Sequence, residues 1–198
     1  ALVRKPPLLV ADEPTASLDD ANAQTMLGLL LDAARQRGCT LVLASHDARV
    51  IQQLAERDDA LISPCDGVLS GYGVATGGMC LHAKGQEYTV AGLLADEAMA
   101  ERFIGGQFAT IYLAPHNYHR VHSPLAGDVI GYRHIPGARY PVNPLSVRTV
   151  PRLFMRNERF CTYLRSGCGD VALVMVAATG VGHITVNYEP QLATPAGG

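Results

Sequence analysis

Two histidines and an aspartate are the residues of this chain best suited to moving protons. His119 and His122 lie three positions apart in the run Tyr-His-Arg-Val-His at residues 118–122, and Asp66 stands well upstream in the run Pro-Cys-Asp-Gly at residues 64–67. A histidine ring titrates near neutral pH, and a carboxylate bonded to one ring nitrogen leaves the other nitrogen basic. The three residues therefore form a candidate site for acid–base catalysis.

The same residues also allow structural interpretations. Asp before Gly is a common turn pair, so Asp66 could simply shape a turn. His116, His119 and His122 could together resemble a zinc cluster. On an extended strand, however, His119 would point to the opposite face from His116 and His122, so we expect no metal site.

A second group of polar residues follows two apolar runs near the N-terminus. Residues 8–11 and Thr40–Ala44 have the pattern of buried strands, and they end at Asp12-Glu13 and at Ser45-His46. Residues 25–37 between them show helical spacing, with Gly38 as the C-cap. This order predicts a β-α-β unit with parallel strands.

The chain changes character after about residue 54. Short alternating runs separated by Gly, Pro and Asn turns predict strands, with one helix at residues 90–100; the strands are expected at residues 81–88, 109–113, 128–134, 160–164, 171–177 and 183–188. The sequence thus predicts an α+β fold, with a β-rich, mainly antiparallel domain after a short parallel β-α-β segment. We place the boundary near residues 52–57, giving domains 1–55 and 56–198.

Composition and charge argue against several classes of function. A formal charge of −2 with scattered basic residues argues against nucleic acid as a partner. The longest apolar run, residues 171–178, is shorter than a membrane-spanning helix, and no signal peptide is visible. Five cysteines without a Cys-x-x-Cys pair favour reduced thiols over a disulfide framework or a zinc site.

The N-terminal segment resembles ABC-transporter ATPases. Residues 8–19, Leu-Leu-Val-Ala-Asp-Glu-Pro-Thr-Ala-Ser-Leu-Asp, resemble the Walker B strand and D-loop of that family, and Ser45-His46-Asp47 resembles its switch histidine. The resemblance implies that Asp12 would hold Mg²⁺, Glu13 would polarise the attacking water and His46 would sense the terminal phosphate.

The phosphate cradle of that family is not found in this sequence, which has no glycine-rich loop ending in Lys-Ser or Lys-Thr. We therefore interpret Asp12, Glu13 and His46 as an incomplete nucleotide site, which would use Mg-ATP only if it were completed. An incomplete ATP-binding or ATPase module is the alternative function.

Residues 59–190 resemble bacterial phosphatidylserine decarboxylases, the pyruvoyl-dependent enzymes that make phosphatidylethanolamine. Seven blocks carry the resemblance in order: Leu-Ile-Ser-Pro-Cys-Asp-Gly at 61–67, Ala-Lys-Gly at 83–85, Phe-Ile-Gly-Gly-Gln-Phe-Ala-Thr-Ile-Tyr-Leu-Ala-Pro at 103–115, Tyr-His-Arg-Val-His-Ser-Pro at 118–124, Ile-Pro-Gly at 135–137 with Val-Asn-Pro at 142–144, Leu-Phe-Met-Arg-Asn-Glu-Arg at 153–159, and Val-Gly-His-Ile at 181–184. Each block alone is a weak signal, but seven in register are specific.

The resemblance to the decarboxylases implies a self-cleaving proenzyme. In that family an Asp-His pair activates a serine in a Leu-Gly-Ser-Thr motif, and this serine cuts the chain before itself and becomes the pyruvoyl group. Carried onto this sequence, Asp66 is the acid, His122 is the base, and His119 serves decarboxylation or reprotonation. The pyruvoyl group acts as the electron sink, a role that other enzymes give to pyridoxal phosphate.

The resemblance also implies partners and a location. These are phosphatidylserine at a membrane surface, a complementary α chain that carries the pyruvoyl group, and a peripheral position on the cytoplasmic side of the inner membrane. Arg156 and Arg159 could orient a phosphate or carboxylate, or could pair with Glu158.

One departure from the decarboxylase pattern affects activity directly. None of the seven serines follows a glycine, so the Leu-Gly-Ser-Thr motif does not occur in these 198 residues. We expect the isolated chain to be inactive. We interpret it as a chimera of an ABC ATPase segment and a decarboxylase domain without the self-cleavage serine.

Overall fold

The computed structural model describes residues 8–45, 47–55, 61–81 and 87–194. These residues form two compact units. The first comprises the described residues up to Ile62 together with Ser123–Ala126, and the second comprises Ser63–His122 and the described residues from Gly127 onward.

The first unit contains two strands and two helices in the order β1 (Leu8–Asp12), α1 (Asp20–Arg37), β2 (Thr40–Ala44) and α2 (Ala48–Ala55). The strands are parallel, with Asp12 opposite Ala44, which confirms the predicted strand pair. Helix α1 begins earlier than predicted because the Asp19 carboxylate caps it, accepting from the Asn22 N–H at 2.9 Å. Gly38 ends it in the left-handed conformation, as predicted, with φ of 61°.

The second unit is built from short helices and antiparallel strands. In chain order they are β3 (Val68–Val74), a 3₁₀ turn (Thr76–Gly78), β4 (Met79–Leu81), β5 (Glu87–Thr89), α3 (Val90–Leu94), α4 (Glu97–Glu101), β6 (Gln107–Tyr112), β7 (Asp128–Ile135), α5 (Pro144–Thr149), α6 (Leu153–Arg156), β8 (Arg159–Ser166) and β9 (Gly169–Val176). Strand β3 pairs with β6, β4 with β5, and β7, β8 and β9 form one sheet with β8 in the middle. All these pairs are antiparallel, which confirms the predicted α+β class.

The core of the second unit lies against the central strand β8. Phe160 and Cys161 in this strand are fully buried, and Tyr163 is nearly so. Cys161 and Tyr163 pack with apolar residues of the short helices and the turn before β4, namely Ala75, Val90, Leu94 and Ala100. The central strand therefore anchors the helices, because its side chains are covered on this face.

Three of the predicted elements are wrong. The helix expected at residues 90–100 is two helices, α3 and α4, because Ala95 turns left-handed with φ of 51° and Asp96 caps α4 by accepting from the Met99 N–H at 2.9 Å. The strand expected at residues 183–188 is not formed. A single bridge joins Thr185 to Ala193 instead, and the Thr194 hydroxyl accepts from the Ile184 N–H at 2.8 Å.

The third wrong prediction is the single strand at residues 81–88, because Leu81 in β4 and Glu87 in β5 are partners in an antiparallel pair. Strand β4 ends at Leu81 and β5 begins at Glu87, and residues 82–86 between them lie outside the described part of the chain. Among the residues that are described, no helix has the length and apolar character needed to cross a membrane.

Candidate active site

Asp66 lies in the turn that leads into β3, and Gly67 fits this turn closely against β6. A Cβ atom on Gly67 would lie 2.6 Å from the Tyr112 carbonyl oxygen and 2.8 Å from Cγ2 of Ile111. Only a residue without a side chain allows that approach. The Asp66 carboxylate itself is exposed, so it is accessible to a reacting group.

His122 is tied to the same turn through the backbone. Its N–H donates to the Pro64 carbonyl at 2.8 Å, which places His122 opposite a residue two positions before Asp66. The structure thus brings the two chain segments together. Within the described hydrogen bonds there is no direct bond between the Asp66 and His122 side chains, and their acid–base pairing stays a prediction.

The ring of His119 is held by one backbone group. Its Nδ1 lies 2.7 Å from the Asn117 carbonyl oxygen. A carbonyl can only accept a hydrogen bond, so Nδ1 carries the proton and donates it. In the neutral ring the lone pair is therefore on Nε2, and because His119 is exposed, this nitrogen can exchange a proton with a bound molecule.

A tyrosine packs on the second histidine. The Tyr118 and His122 rings are stacked, with centroids 5.9 Å apart and planes 12° from parallel. Sequence reasoning did not single out Tyr118 or Asn117. Their positions beside the two histidines were the available signal, but which ring or carbonyl contacts which imidazole depends on the backbone conformation.

The strand geometry used to separate the histidines is wrong. Strand β6 ends at Tyr112, and residues 118–122 follow an irregular path without strand pairing. Alternation between two faces therefore does not apply to His116, His119 and His122. In the described parts of the chain, no three His, Cys, Asp or Glu side chains lie close enough together to hold a metal ion.

Cys65, next to Asp66, is a poor nucleophile. Burial raises the pKa of its thiol, and the negative charge of Asp66 raises this pKa further. The thiol therefore stays protonated at neutral pH, and the thiolate is the reactive form.

The two arginines of the Arg-Asn-Glu-Arg block have different environments. Arg159 is 3% exposed and donates to the backbone carbonyls of Gly92, Leu93, Met155 and Asn157, so its guanidinium is not available to a ligand. Arg156 is exposed and lies over the Tyr140 ring, 5.2 Å from its centroid. Glu158 bonds to His134 at 2.8 Å and to Arg139 at 2.7 Å rather than to either arginine of the block.

The N-terminal acids lie at the carboxyl edge of the parallel pair in the first unit. The Glu13 N–H donates to the Ala44 carbonyl at 2.8 Å, and the Ser45 hydroxyl lies 3.4 Å from the Glu13 carboxylate. Asp12 is exposed at the end of β1. His46, the predicted phosphate sensor, lies outside the described residues.

Asp47, next along the chain, is already engaged by other residues. Its carboxylate accepts from Arg49 at 2.7 Å and from the Thr15 hydroxyl at 3.0 Å. The hydrogen bond from Arg49 holds the pKa of this carboxyl well below its usual range. Asp47 is therefore ionised and paired at neutral pH.

The second unit thus presents an exposed carboxylate, a nearby imidazole and a second imidazole with one free ring nitrogen, the set of groups typical of acid–base enzymes. The family model of phosphatidylserine decarboxylase matches residues 42–197. The chain belongs to the phosphatidylserine decarboxylase family.

Individual relatives agree with this assignment. The chain is 47% identical over 142 residues to the phosphatidylserine decarboxylase proenzyme of Anaeromyxobacter sp. (strain K), covering 72% of this chain and 50% of that protein. It is 48% identical over 132 residues to the proenzyme of Myxococcus xanthus (strain DK1622), covering 67% and 47% respectively. For Brevibacillus brevis the identity is 44% over 137 residues, covering 68% and 49%. The chain spans about half the length of these curated relatives.

Proposed function

We propose that this chain is the proton-handling part of a pyruvoyl-dependent phosphatidylserine decarboxylase, which converts phosphatidylserine to phosphatidylethanolamine and CO₂. The observation that carries the proposal is the hydrogen bond from His122 to Pro64, because it joins the His122 segment to the Asp66 turn within the region matched by the family. The names of the relatives, which are decarboxylase proenzymes, supply the substrate and the idea of a cleaved precursor.

In self-cleavage, His122 would take the proton from the serine hydroxyl, and Asp66 would orient His122 and stabilise its protonated form. The exposure of both side chains supports this role, since a serine from another segment must reach them. No serine among the seven in these 198 residues follows a glycine. We therefore propose that the serine comes from sequence outside these residues and that these residues alone are inactive.

The residues present fit a pyruvoyl group. Forming it requires an accessible carboxylate and an accessible imidazole beside a serine. Asp66 and His122 are both exposed on joined segments, and Cys65 is kept protonated and so does not compete as a nucleophile. When bound, the pyruvoyl group supplies the electron sink for loss of CO₂. Asp66 and His122 are the residues of this chain that would lie next to it.

In turnover, we propose that Nε2 of His119 handles the proton that replaces CO₂ on the substrate carbon. The bond from Nδ1 to the Asn117 carbonyl leaves Nε2 as the exchanging atom. Protonated at Nε2, His119 can deliver a proton, and afterwards the neutral ring can accept one from water. Exposed Arg156 is a candidate for contacting the lipid phosphate or carboxylate.

The proposal includes two partners and a location. The partners are phosphatidylserine at a membrane surface and a complementary α chain that brings the pyruvoyl group. The protein would act as a peripheral protein on the cytoplasmic side of the inner membrane. The proenzyme names of the relatives support a cleaved chain pair and a phospholipid substrate.

Co-expression tests this function. The 198-residue chain is expressed with a complementary fragment carrying the Leu-Gly-Ser-Thr motif, and the purified complex is assayed for phosphatidylethanolamine and released CO₂ with phosphatidylserine vesicles. We expect both products, and none from the 198-residue chain alone. Correct assembly of the two chains without either product would reject the proposal.

The N-terminal unit supports a second, lesser proposal of ancestry. The parallel pair of β1 and β2, with Glu13 and Ser45 in contact at its carboxyl edge, fits a remnant of an ABC ATPase. We propose that Asp12, Glu13 and His46 form an incomplete site without ATP hydrolysis. Millimolar Mg-ATP should leave the melting temperature unchanged, and a clear rise would instead support a nucleotide-binding module, because a ligand that binds the native state stabilises it.

A further inference from the structure

Asn117 has three hydrogen bonds that converge on the turn before the two histidines. Its side-chain Oδ1 accepts from the Ala114 N–H at 2.8 Å, and its own N–H donates to the Ala114 carbonyl at 2.9 Å. Its carbonyl accepts from Nδ1 of His119 at 2.7 Å. The first two bonds fix the orientation of the Asn117 backbone, and the third bond uses that orientation.

We propose that Asn117 is a positioning residue that sets which nitrogen of His119 exchanges the proton in catalysis. The backbone N–H and the side-chain Oδ1 of Asn117 both bond to the backbone of Ala114, and the residue held in this way presents its carbonyl to the His119 ring. That carbonyl has no proton to give, and it therefore selects the Nδ1–H form of the neutral ring. Nε2 is left with the lone pair on an exposed side chain.

An exposed histidine needs a fixed hydrogen-bond partner if one of its two neutral tautomers is to dominate. His119 is exposed, so water competes for both ring nitrogens and both neutral forms would otherwise be populated. A short bond to a carbonyl held in place biases this equilibrium without burying the ring. The ring stays accessible to the substrate, and Nε2 is the nitrogen that can exchange a proton with it.

The side chain, rather than the carbonyl, is the part that mutation can remove. Leucine at position 117 matches asparagine in shape but has no acceptor for the Ala114 N–H, whereas aspartate keeps an acceptor oxygen there. Asn117→Leu should therefore loosen the turn, and Asn117→Asp should retain it. The two variants form a matched pair.

His183 provides an internal reference. Its Nδ1 lies 2.8 Å from the Thr194 carbonyl, the same kind of contact as in His119, but formed by residues far from Asn117 in the sequence. In any Asn117 variant that folds, the ring of His183 should therefore keep its Nδ1–H form.

Nitrogen-15 NMR of the histidine rings in the 198-residue chain, recorded where the rings are neutral, tests the proposal. We expect His119 and His183 in the Nδ1–H form, a shift of His119 toward the Nε2–H form in Asn117→Leu, and no such shift in Asn117→Asp. His119 in the Nε2–H form in the unaltered chain, or an unchanged His119 in Asn117→Leu, would overturn it. If Asn117→Leu also loses the His183 signature and hence its fold, Asn117→Ala decides by the same criteria.

This inference rests on the proposed function only in assigning proton transfer to His119. The NMR signature requires no activity, so its failure and the failure of the decarboxylase proposal are distinguishable. In the complex completed with the complementary fragment, Asn117→Leu should lower kcat by roughly tenfold to a hundredfold and leave self-cleavage unchanged. An unchanged kcat there would also overturn the role of Asn117.

Discussion

The backbone N–H of His122 donates to the carbonyl of Pro64 at 2.8 Å, so the segment that carries His122 is attached to the turn that contains Asp66. The bond uses neither the Asp66 side chain nor the His122 side chain. Substitutions at Asp66 and His122 can therefore remove a functional group without removing the contact that joins the two segments.

His119 should act after self-cleavage rather than in it. In the complex completed with the complementary fragment, His119→Ala should leave chain cleavage intact and lower kcat by about 10²-fold or more, the usual contribution of a general acid or base. The matched control is His116→Ala, which removes a nearby exposed imidazole. Gel analysis of cleavage and a CO₂ release assay measure the two steps separately, and loss of cleavage in His119→Ala would contradict this division of roles.

Gly67→Ala should disturb the Asp66 turn. The new Cβ would lie 2.6 Å from the Tyr112 carbonyl oxygen, and the turn must move away from β6 to accept it. We expect slower self-cleavage in the completed protein and a lower free energy of unfolding, by roughly 1–3 kcal/mol.

Gly28→Ala in α1 is the contrasting substitution, because no atom lies within 4 Å of its added Cβ. It should raise the free energy of unfolding by about 0.5–1 kcal/mol, since alanine favours a helix over glycine. Denaturant melts of both variants check the pair. Equal stability and cleavage in Gly67→Ala and the unaltered protein would show that the close approach is unimportant.

Glu158 should make the stability of the second unit depend on acid. Burial disfavours its charge, but hydrogen bonds from Arg139 and His134 outweigh burial and lower the pKa of the Glu158 carboxyl. Because the folded pKa is lower than the unfolded one, the stabilisation is complete above the ordinary value of about 4.3 and is lost as pH falls through the folded value.

Glu158→Gln should therefore lower the free energy of unfolding by about 2–3 kcal/mol at pH 7, where charged hydrogen bonds are lost, and by progressively less below about pH 4. Glu101→Gln, at an exposed position in α4, should change it by less than about 0.5 kcal/mol. Urea melts from pH 3 to pH 7 measure both. A Glu158→Gln penalty that does not shrink in acid would contradict the assignment.

Arg159 is expected to resist even a conservative change. Its guanidinium is buried and donates to four backbone carbonyls, a geometry that the single ammonium of lysine cannot reproduce. Arg159→Lys should cost about 3 kcal/mol of unfolding free energy. Arg165→Lys, on the same strand with a side chain 62% exposed, should cost less than about 0.5 kcal/mol. Similar melting temperatures for the two variants would be the contrary result.

The sequence predicted those parts of the fold that depend on local pattern. Apolar runs and the glycine cap predicted β1, α1 and β2, and alternation predicted β6 to β9, because these signals are carried by neighbouring residues. The prediction of one helix at residues 90–100 is wrong because Asp96 is the N-cap of α4 and not a residue inside a continuous helix. Strand β3 was missed because Gly71 and Gly73 weaken its pattern, although its pairing with β6 tolerates them.

In the candidate site, too, the residue types could be predicted from the sequence, whereas their contacts depend on the folded backbone. Residue types and family blocks predicted Asp66, His119 and His122 as candidate site residues, but they could not predict the contacts that hold these residues. The Asn117 carbonyl on His119 and the Tyr118 ring on His122 arise from an irregular segment, whose dihedral angles no periodicity encodes. Arg159 looked like a possible ligand group, and only burial showed that it binds the backbone instead.

The central claim is that Asp66 and His122 activate a serine supplied from outside these 198 residues. Mass spectrometry of the chain co-expressed with the Leu-Gly-Ser-Thr fragment tests it most directly. We predict cleavage immediately before the serine and a carbonyl-blocked new amino terminus, with Asp66→Asn and His122→Ala uncut. Normal cleavage in either variant, or a carbonyl-blocked terminus generated from the 198 residues alone, would contradict the account.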